Sequence, residues 1–225
     1  MNNTNFDDLI LGKFLPIFCQ FHGYDTAGFK SETVGRVVKY DAEWFLRALS
    51  TRTVVQDGSF FMSPLSGAKE QIFWSGNKSV IPRPITFWAE PVITIGAAGR
   101  LSSEFGWPQN LIGLQSKRNW AFDLVAYSSD QDPIIVCEVK KSEREIDFLI
   151  RAMMDFVSLP PLDEEPNESK LRNAYRKVVG LRQMAPKYFW ALGPNDYGSV
   201  FRIAPGGLEE VGKDVLAFVP PHNSA

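Results

Sequence analysis

One stretch constrains the fold of this chain more than any other: a very apolar run at residues 133–141, PIIVCEVKK, that ends in charged residues. Its β-branched residues and the turn-rich SSDQDP sequence before it are typical of a buried strand. Ser142 and Glu145 then form a capping box, and apolar residues recur at helical spacing as far as Val157. The sequence therefore predicts a buried strand followed at once by an amphipathic helix.

The neighbouring segments predict a mixed sheet flanked by helices, an α/β or α+β fold. From residue 86 onward the expected order is one helix, three strands, two helices and two strands, at residues 86–105, 111–116, 119–128, 133–141, 142–158, 170–185, 187–193 and 198–204. The turn-rich break between the second and third strands favours a meander. A Pro- and acid-rich break at 158–169 separates the two later helices.

Residues 1–84 are interpreted as an N-terminal α+β lobe, and residues 85–225 as the main core. Helices are expected at residues 6–21, interrupted by Pro16, and at 41–50. Residues 53–62 predict a hairpin because Asp57-Gly58 lies between two β-prone runs. The prolines at 82 and 84 favour extended backbone and hence a boundary.

Composition excludes several classes of protein. With 225 residues and 44% apolar content, the chain can bury a sizeable core without disulfides. Cys19 and Cys137 lie in apolar surroundings, so we expect free buried thiols and no structural zinc site. No apolar stretch approaches the length of a membrane span and no signal sequence is evident, so a soluble cytoplasmic protein is expected. The net charge of −2 argues against coating nucleic acid by bulk electrostatics.

Three residues near the ends of two predicted strands could carry chemistry. Side chains alternate along a strand, so Glu138 and Lys140 share one face, and pairing with the preceding strand would place Asp123 beside Glu138. Carboxylate oxygens bind Mg²⁺, and a nearby ammonium can assist the attacking water or stabilise developing charge. The backbone carbonyl of Val139 could supply a further ligand. This set is what phosphodiester cleavage requires.

The chain here resembles the PD-(D/E)XK nuclease superfamily, whose signature is an acidic residue at one strand end and a (D/E)-x-K tripeptide in the next strand. The matching residues are Phe122-Asp123 and Glu138-Val139-Lys140, with Phe122 where the signature has proline. The resemblance covers about residues 86–203. It implies a restriction-endonuclease-like core, Mg²⁺ or Mn²⁺ as cofactor, DNA as partner, and Glu90 as a helical metal ligand.

Each of these residues also has an ordinary structural interpretation. Glu138 and Lys140 could form a weak ion pair at a solvated strand edge, and Glu90 could be an acidic residue favoured by a helix N-terminus. Asp123 is harder to explain this way, because a carboxylate among apolar residues is costly to bury without a partner.

Phosphate contacts are predicted for Lys117, Arg118, Arg176 and Lys177, the last two on the basic helix, whose alternative is a solvated face. The aromatic residues Phe73, Trp74, Phe87 and Trp88 are more typical of a core than of a base-stacking surface, and none is assigned to substrate.

Three classes of function follow. The first is a metal-dependent nuclease acting on DNA, in a bacterial defence or genome-maintenance setting, as the resemblance implies. The second is a catalytically inactive form of the same fold that serves as a binding or assembly module. The third is an unrelated α+β interaction protein in which the triplet is a coincidence. The sequence leaves open a homodimer or a protein partner.

Overall fold

The computed structural model describes residues 4–117 and 121–220, with the side chains of residues 4 and 5 left aside. The N-terminal part is mostly helical, with two short hairpins. Its helices are α1 Thr4–Leu9, continued by a π-helical turn at Ile10–Phe14, α2 Leu15–His22 and α3 Lys39–Ser50. Its strands are β1 Val55–Asp57, β2 Phe60–Met62, β3 Phe73–Ser75 and β4 Ile85–Phe87.

The remainder contains three longer helices and the main sheet. The helices are α4 Ala89–Ser103, α5 Glu143–Val157 and α6 Ser169–Met184. The strands are β5 Ile112–Leu114, β6 Leu124–Tyr127, β7 Pro133–Val139, β8 Tyr188–Leu192, β9 Gly198–Ala204 and β10 Gly207–Val211. Along the whole described chain, short 3₁₀ turns lie at Thr26–Gly28, Ser31–Arg36, Gln109–Leu111, Pro194–Asp196 and Lys213–Leu216.

Six strands of the described chain form a mixed sheet in the order β10-β9-β8-β7-β6-β5. β5, β6 and β7 form an antiparallel meander in which Leu124 pairs with Cys137. β7 and β8 are parallel, as the crossover through α5 and α6 requires, whereas β8, β9 and β10 are antiparallel. The predicted mixed sheet with flanking helices is confirmed.

Helices cover both faces of this sheet. Alternation along β7 sends Ile135 and Cys137 into one apolar cluster with the N-terminal helices and α4, while Val136 enters a second cluster with α5 and α6. α3 lies so close against α4 that a Cβ on Gly99 would stand only 2.9 Å from the Cβ of Ala48. Residues on both sides of position 84 thus share one cluster, and the proposed division into two domains stays a prediction.

Most predicted elements are present, with shifted ends. The N-cap half of the predicted capping box is confirmed, since the side chain of Ser142 accepts a hydrogen bond from the amide of Glu145. The Asp57-Gly58 hairpin and the buried free cysteines are also confirmed.

The predicted helix at 86–105 was wrong at its start, because Thr86 and Phe87 pair with β3 and the helix begins at Ala89. β3, β4 and β10 were not predicted. Within the described ranges, no helix combines the length and apolarity that a membrane crossing needs.

Candidate active site

The backbone around Asp123 holds its carboxylate at the end of β7. Asp123 lies one residue before β6, and its amide donates to the carbonyl of Cys137 at 3.0 Å. Its Oδ2 accepts a hydrogen bond from the amide of Val139 at 2.8 Å. Phe122 on one side and Leu124 on the other are fully buried, so the chain is anchored at both flanks of this carboxylate. The position is therefore fixed by packing as well as by hydrogen bonds.

Glu138 is buried, with 2% of its surface exposed, and each carboxylate oxygen contacts a lysine. Lys140 Nζ lies 2.6 Å from Oε1, and Lys177 Nζ lies 2.5 Å from Oε2. The ammonium of Lys140 also donates to the carbonyl of Val139 at 2.9 Å. A buried carboxylate needs such partners, because desolvation alone would strongly disfavour its charge. We call Asp123, Glu138, Lys140 and Lys177 the site cluster.

Lys177 is the site residue whose position the sequence analysis missed. It was placed on an exposed basic face, but it is buried and turns from α6 toward the sheet, where it also donates to the carbonyl of Ala121. The helical spacing contained a signal, since Ala174 and Leu181 lie three and four residues away on the buried side of α6. A lysine in line with buried positions indicates an ion pair.

Electrostatics set the charge states of the cluster. Burial, together with the charge of Glu138, raises the pKa of Asp123 to about 7, although Lys177, Lys140 and the Val139 amide oppose the shift. Burial would also raise the pKa of Glu138, but Lys177 and Lys140 outweigh it and hold that pKa below its ordinary value. Burial would lower the pKa of Lys140, yet Glu138 and Asp123 raise it. Glu138 is thus the fixed negative charge of the cluster.

Glu90 reaches the same end of β7 from the first turn of α4. Its Oε1 accepts a hydrogen bond at 3.2 Å from the amide of Lys141, the residue that follows Lys140. Its charge also contributes to raising the pKa of Lys140. The structure thus brings the sequence-predicted residues Glu90, Asp123, Glu138 and Lys140 to one end of the sheet.

The donor set fits a divalent cation in kind. Mg²⁺ is usually bound by one or two carboxylates together with water and substrate phosphate. Asp123 and Glu138 are two such carboxylates, and the hydrogen bonds among the described residues engage only Oδ2 of Asp123. No cluster of three or more His, Cys, Asp or Glu side chains suited to a metal occurs in 4–117 or 121–220. Any ion here would depend on two carboxylates, the Val139 carbonyl and external oxygen.

A groove of about 960 Å³ opens beside Lys140 and runs along the first halves of α5 and α6. Its charged lining is six basic and three acidic side chains: Lys140, Arg144, Arg151, Lys170, Arg172 and Arg176, with Glu90, Glu145 and Glu168. We call this the basic groove. Two helix N-terminal halves add positive potential to an already positive lining. The groove therefore favours an anionic ligand.

The remaining predicted contact residues differ in position. Arg176 lines the basic groove and is paired with Glu165 at 2.7 Å. Lys117 is exposed at the end of a described segment, and Arg118 lies outside the described residues. Of the predicted phosphate contacts that lie in the described segments, Arg176 lines the groove, Lys177 is buried, and Lys117 does not line the groove.

The aromatic residues of β3 and β4 also divide into two groups. Phe73 and Phe87 are buried, as expected, whereas Trp74 and Trp88 are exposed, contrary to the expectation of core positions.

No protein-family model, curated protein or solved structure matches this chain significantly.

Proposed function

We propose that this protein is a metal-dependent nuclease built on a restriction-endonuclease-like core. The observation that carries the proposal is the gathering of Asp123, Glu138 and Lys140 at adjacent strand ends, beside a groove with a basic lining. The order of a helix, an antiparallel meander, crossover helices and a parallel strand supports the same core. DNA is the expected polymer, in accord with the sequence resemblance.

Asp123, Glu138 and the Val139 carbonyl would hold Mg²⁺ or Mn²⁺, with Glu90 close enough to the strand end to assist through water. When bound, such an ion lowers the pKa of a coordinated water and neutralises charge on phosphate oxygens. Lys140 and Lys177 contact the two carboxylate oxygens of Glu138, so a metal ion would bind there only if Lys140 moved away from Oε1. Four methylene groups give this side chain the freedom to move.

The protein groups then have separate roles. Lys140 places a positive charge where a pentavalent phosphate would develop negative charge, and it can orient the attacking water. Lys177 keeps Glu138 ionised and fixes its orientation from behind. The amide of Val139 keeps the Asp123 carboxylate in position. The basic groove holds the phosphates on either side of the bond to be broken.

A specific observation favours a second candidate, an inactive binding or assembly module. The site cluster is balanced, with two acidic and two basic side chains, and both oxygens of Glu138 already contact ammonium groups. A buried and balanced network can stabilise a fold without performing any reaction. The two candidates differ in metal binding, because the module needs no divalent ion.

The direct test is cleavage of plasmid, linear duplex and single-stranded DNA, and of RNA, with and without Mg²⁺ or Mn²⁺. We expect metal-dependent cleavage that falls on the order of a thousandfold in Lys140→Ala, because a charge that stabilises the transition state is removed. Lys187→Ala is the control, since this lysine is exposed and lies just before β8, at the end of the parallel β7–β8 pair opposite Glu138. Its rate should match that of the unmodified protein.

Circular dichroism must show that both variants remain folded. Titration calorimetry with Mn²⁺, with Asp123→Asn as the comparison, then separates the two candidates. Heat of binding that disappears in the variant supports the nuclease. Absence of both metal binding and cleavage on every substrate would overturn the nuclease in favour of the binding module.

A further inference from the structure

The β3–β4 hairpin exposes two tryptophans on one face. Trp74 is 57% exposed and Trp88 is 43% exposed, while Phe73 and Phe87 point into the core on the opposite face. The two indole rings are stacked, with centroids 5.4 Å apart and planes inclined by 15°. Exposed apolar groups that form a contiguous patch mark interaction sites, whereas scattered single ones are ordinary. We call this pair the tryptophan platform.

The tryptophan platform adjoins the candidate active site. Trp88 immediately precedes α4, and Glu90 follows two residues later in its first turn. A hollow of about 390 Å³ is lined by Trp88, Arg36, Glu90 and Lys141 among others. Glu90 also lines the basic groove, so the hollow and the groove meet at this residue. Lys140 lines the groove and its neighbour Lys141 lines the hollow, so Trp88 and the basic groove lie on adjoining parts of the surface.

The chemistry of this surface combines aromatic faces with cations. Arg36 and Lys141 lie beside Trp88, and the basic groove continues the positive lining on the far side of Glu90. Proteins that bind single-stranded nucleic acid use this combination, with cations along the backbone and rings against the bases. The bases of a duplex are stacked inside it and cannot reach a ring on a protein surface. Only an unpaired base offers a free face.

We propose that the polymer bound at this site is a single-stranded polynucleotide, with its phosphates in the basic groove and an unpaired base stacked on Trp88. The inference deepens the proposed function and rests on it for the reaction at the site. Trp74 backs Trp88 and holds the ring in place. Arg144 and Lys170 supply groove charge without being tied into the ion pairs of the site cluster.

The test measures binding separately from cleavage. Fluorescence anisotropy of labelled oligo(dT), oligo(U) and an oligo(dA)·oligo(dT) duplex is followed once in EDTA and once with Ca²⁺. We expect a single strand to bind more tightly than the duplex, with quenching of tryptophan fluorescence. Trp88→Ala should weaken single-strand binding about tenfold, the size of one lost base–ring stack, and Trp88→Phe should largely restore it.

Two controls isolate the platform and the groove. Phe21→Ala removes another exposed ring, 59% exposed and located on α2, and should leave affinity unchanged. The double variant Arg144→Ala, Lys170→Ala should weaken binding and flatten its salt dependence, because fewer counterions are released. Lys78→Ala, an exposed lysine outside the groove lining, should change neither quantity.

The outcomes separate this inference from the proposed nuclease. Trp88-dependent binding of a single strand without cleavage in Mg²⁺ or Mn²⁺ supports the inference and overturns the nuclease. Cleavage with preference for duplex, or with affinity unaffected by Trp88→Ala, overturns the inference and leaves the nuclease. Absence of single-strand binding in both EDTA and Ca²⁺ overturns the inference directly.

Discussion

The protein contains two charge clusters, each built around a buried charged residue, that contrast in their surroundings. The site cluster lies at the end of β7 beside the basic groove. The second, which we call the Arg100 cluster, joins Arg100 to Glu104 at 2.7 Å and to Asp196 at 2.5 Å, while Lys213 reaches Asp196 at 2.8 Å. Arg100 itself is only 3% exposed. Both clusters pair acids with bases, yet their surroundings give them different consequences.

Aromatic rings enclose the guanidinium of Arg100, while its partner Glu104 is exposed. The guanidinium lies 5.2 Å from the ring centre of Trp190, 5.4 Å from that of Phe105 and 5.7 Å from that of Tyr40. Nearby, Asp41 accepts a hydrogen bond from the amide of Asn195, which ties α3 to the turn that carries Asp196. Charges enclosed in this way hold elements together, whereas charges beside an open groove can also meet a ligand. Burial alone therefore does not identify a functional site.

The largest expected effect on stability comes from Arg100→Met. The variant should lose about 3 kcal/mol of unfolding free energy, because Glu104 loses its cation, Asp196 keeps only Lys213, and three rings lose a packing surface. Urea denaturation followed by tryptophan fluorescence measures the change. Arg202→Met is the control, since its pair with Glu209 is exposed. A loss for Arg100→Met no larger than that control would contradict the enclosing role of the rings.

The second prediction concerns pH. Burial, together with the charge of Asp196, raises the pKa of Asp41 to about 6 from an ordinary value of 3.8, against the opposing Asn195 amide and Arg100. The folded state therefore binds more protons than the unfolded state between these values, and this contribution to stability is complete at lower pH and is lost as pH rises through about 6. The fall amounts to about 3 kcal/mol at most.

Asp41→Asn should remove this fall, because an amide does not titrate. Thermal or urea denaturation of both proteins across pH 4 to 7 gives the comparison, and the difference in slope is the measured quantity. Parallel pH profiles for the variant and the unmodified protein would show that Asp41 does not titrate in this range.

The smallest expected effect on stability comes from Lys177→Met, which compares how firmly the two clusters are held. Lys177→Met should cost about 2 kcal/mol of stability, less than the Arg100 variant, because Lys140 remains on the other oxygen of Glu138. Lys177→Arg, which retains the charge, should recover part of the loss. Urea denaturation measures both. A loss as large as that of Arg100→Met would mean that the site cluster is held as rigidly as the enclosed one.

Much of the fold was predictable because its signals are local. The apolar run of β7, the Ser142 cap and the basic helix all depend on neighbouring residues, and each is present. The hairpin at Asp57-Gly58 follows from turn chemistry alone. The start of α4 was misplaced because Thr86 pairs with Trp74, a residue distant in the chain. Pairing partners of this kind leave no local pattern.

The candidate site was likewise predictable only where its signals are local. Asp123, Glu138 and Lys140 were identified because the end of an apolar strand is visible in the sequence, and strand alternation relates Glu138 to Lys140. The inward direction of Lys177 depended on how α6 packs on the sheet, and the exposure of Trp74 and Trp88 depended on which face of a short hairpin met the core.

The sequence by itself determined the elements and the residue types available to them, because helix caps, turns and apolar periodicity act over a few residues. Only the tertiary structure decided which charges became enclosed and which opened onto a groove. Enclosure depends on side chains contributed by distant segments, such as Tyr40 and Trp190 around Arg100. The free energy of a buried charge is set by those neighbours and not by the adjacent residues in the chain.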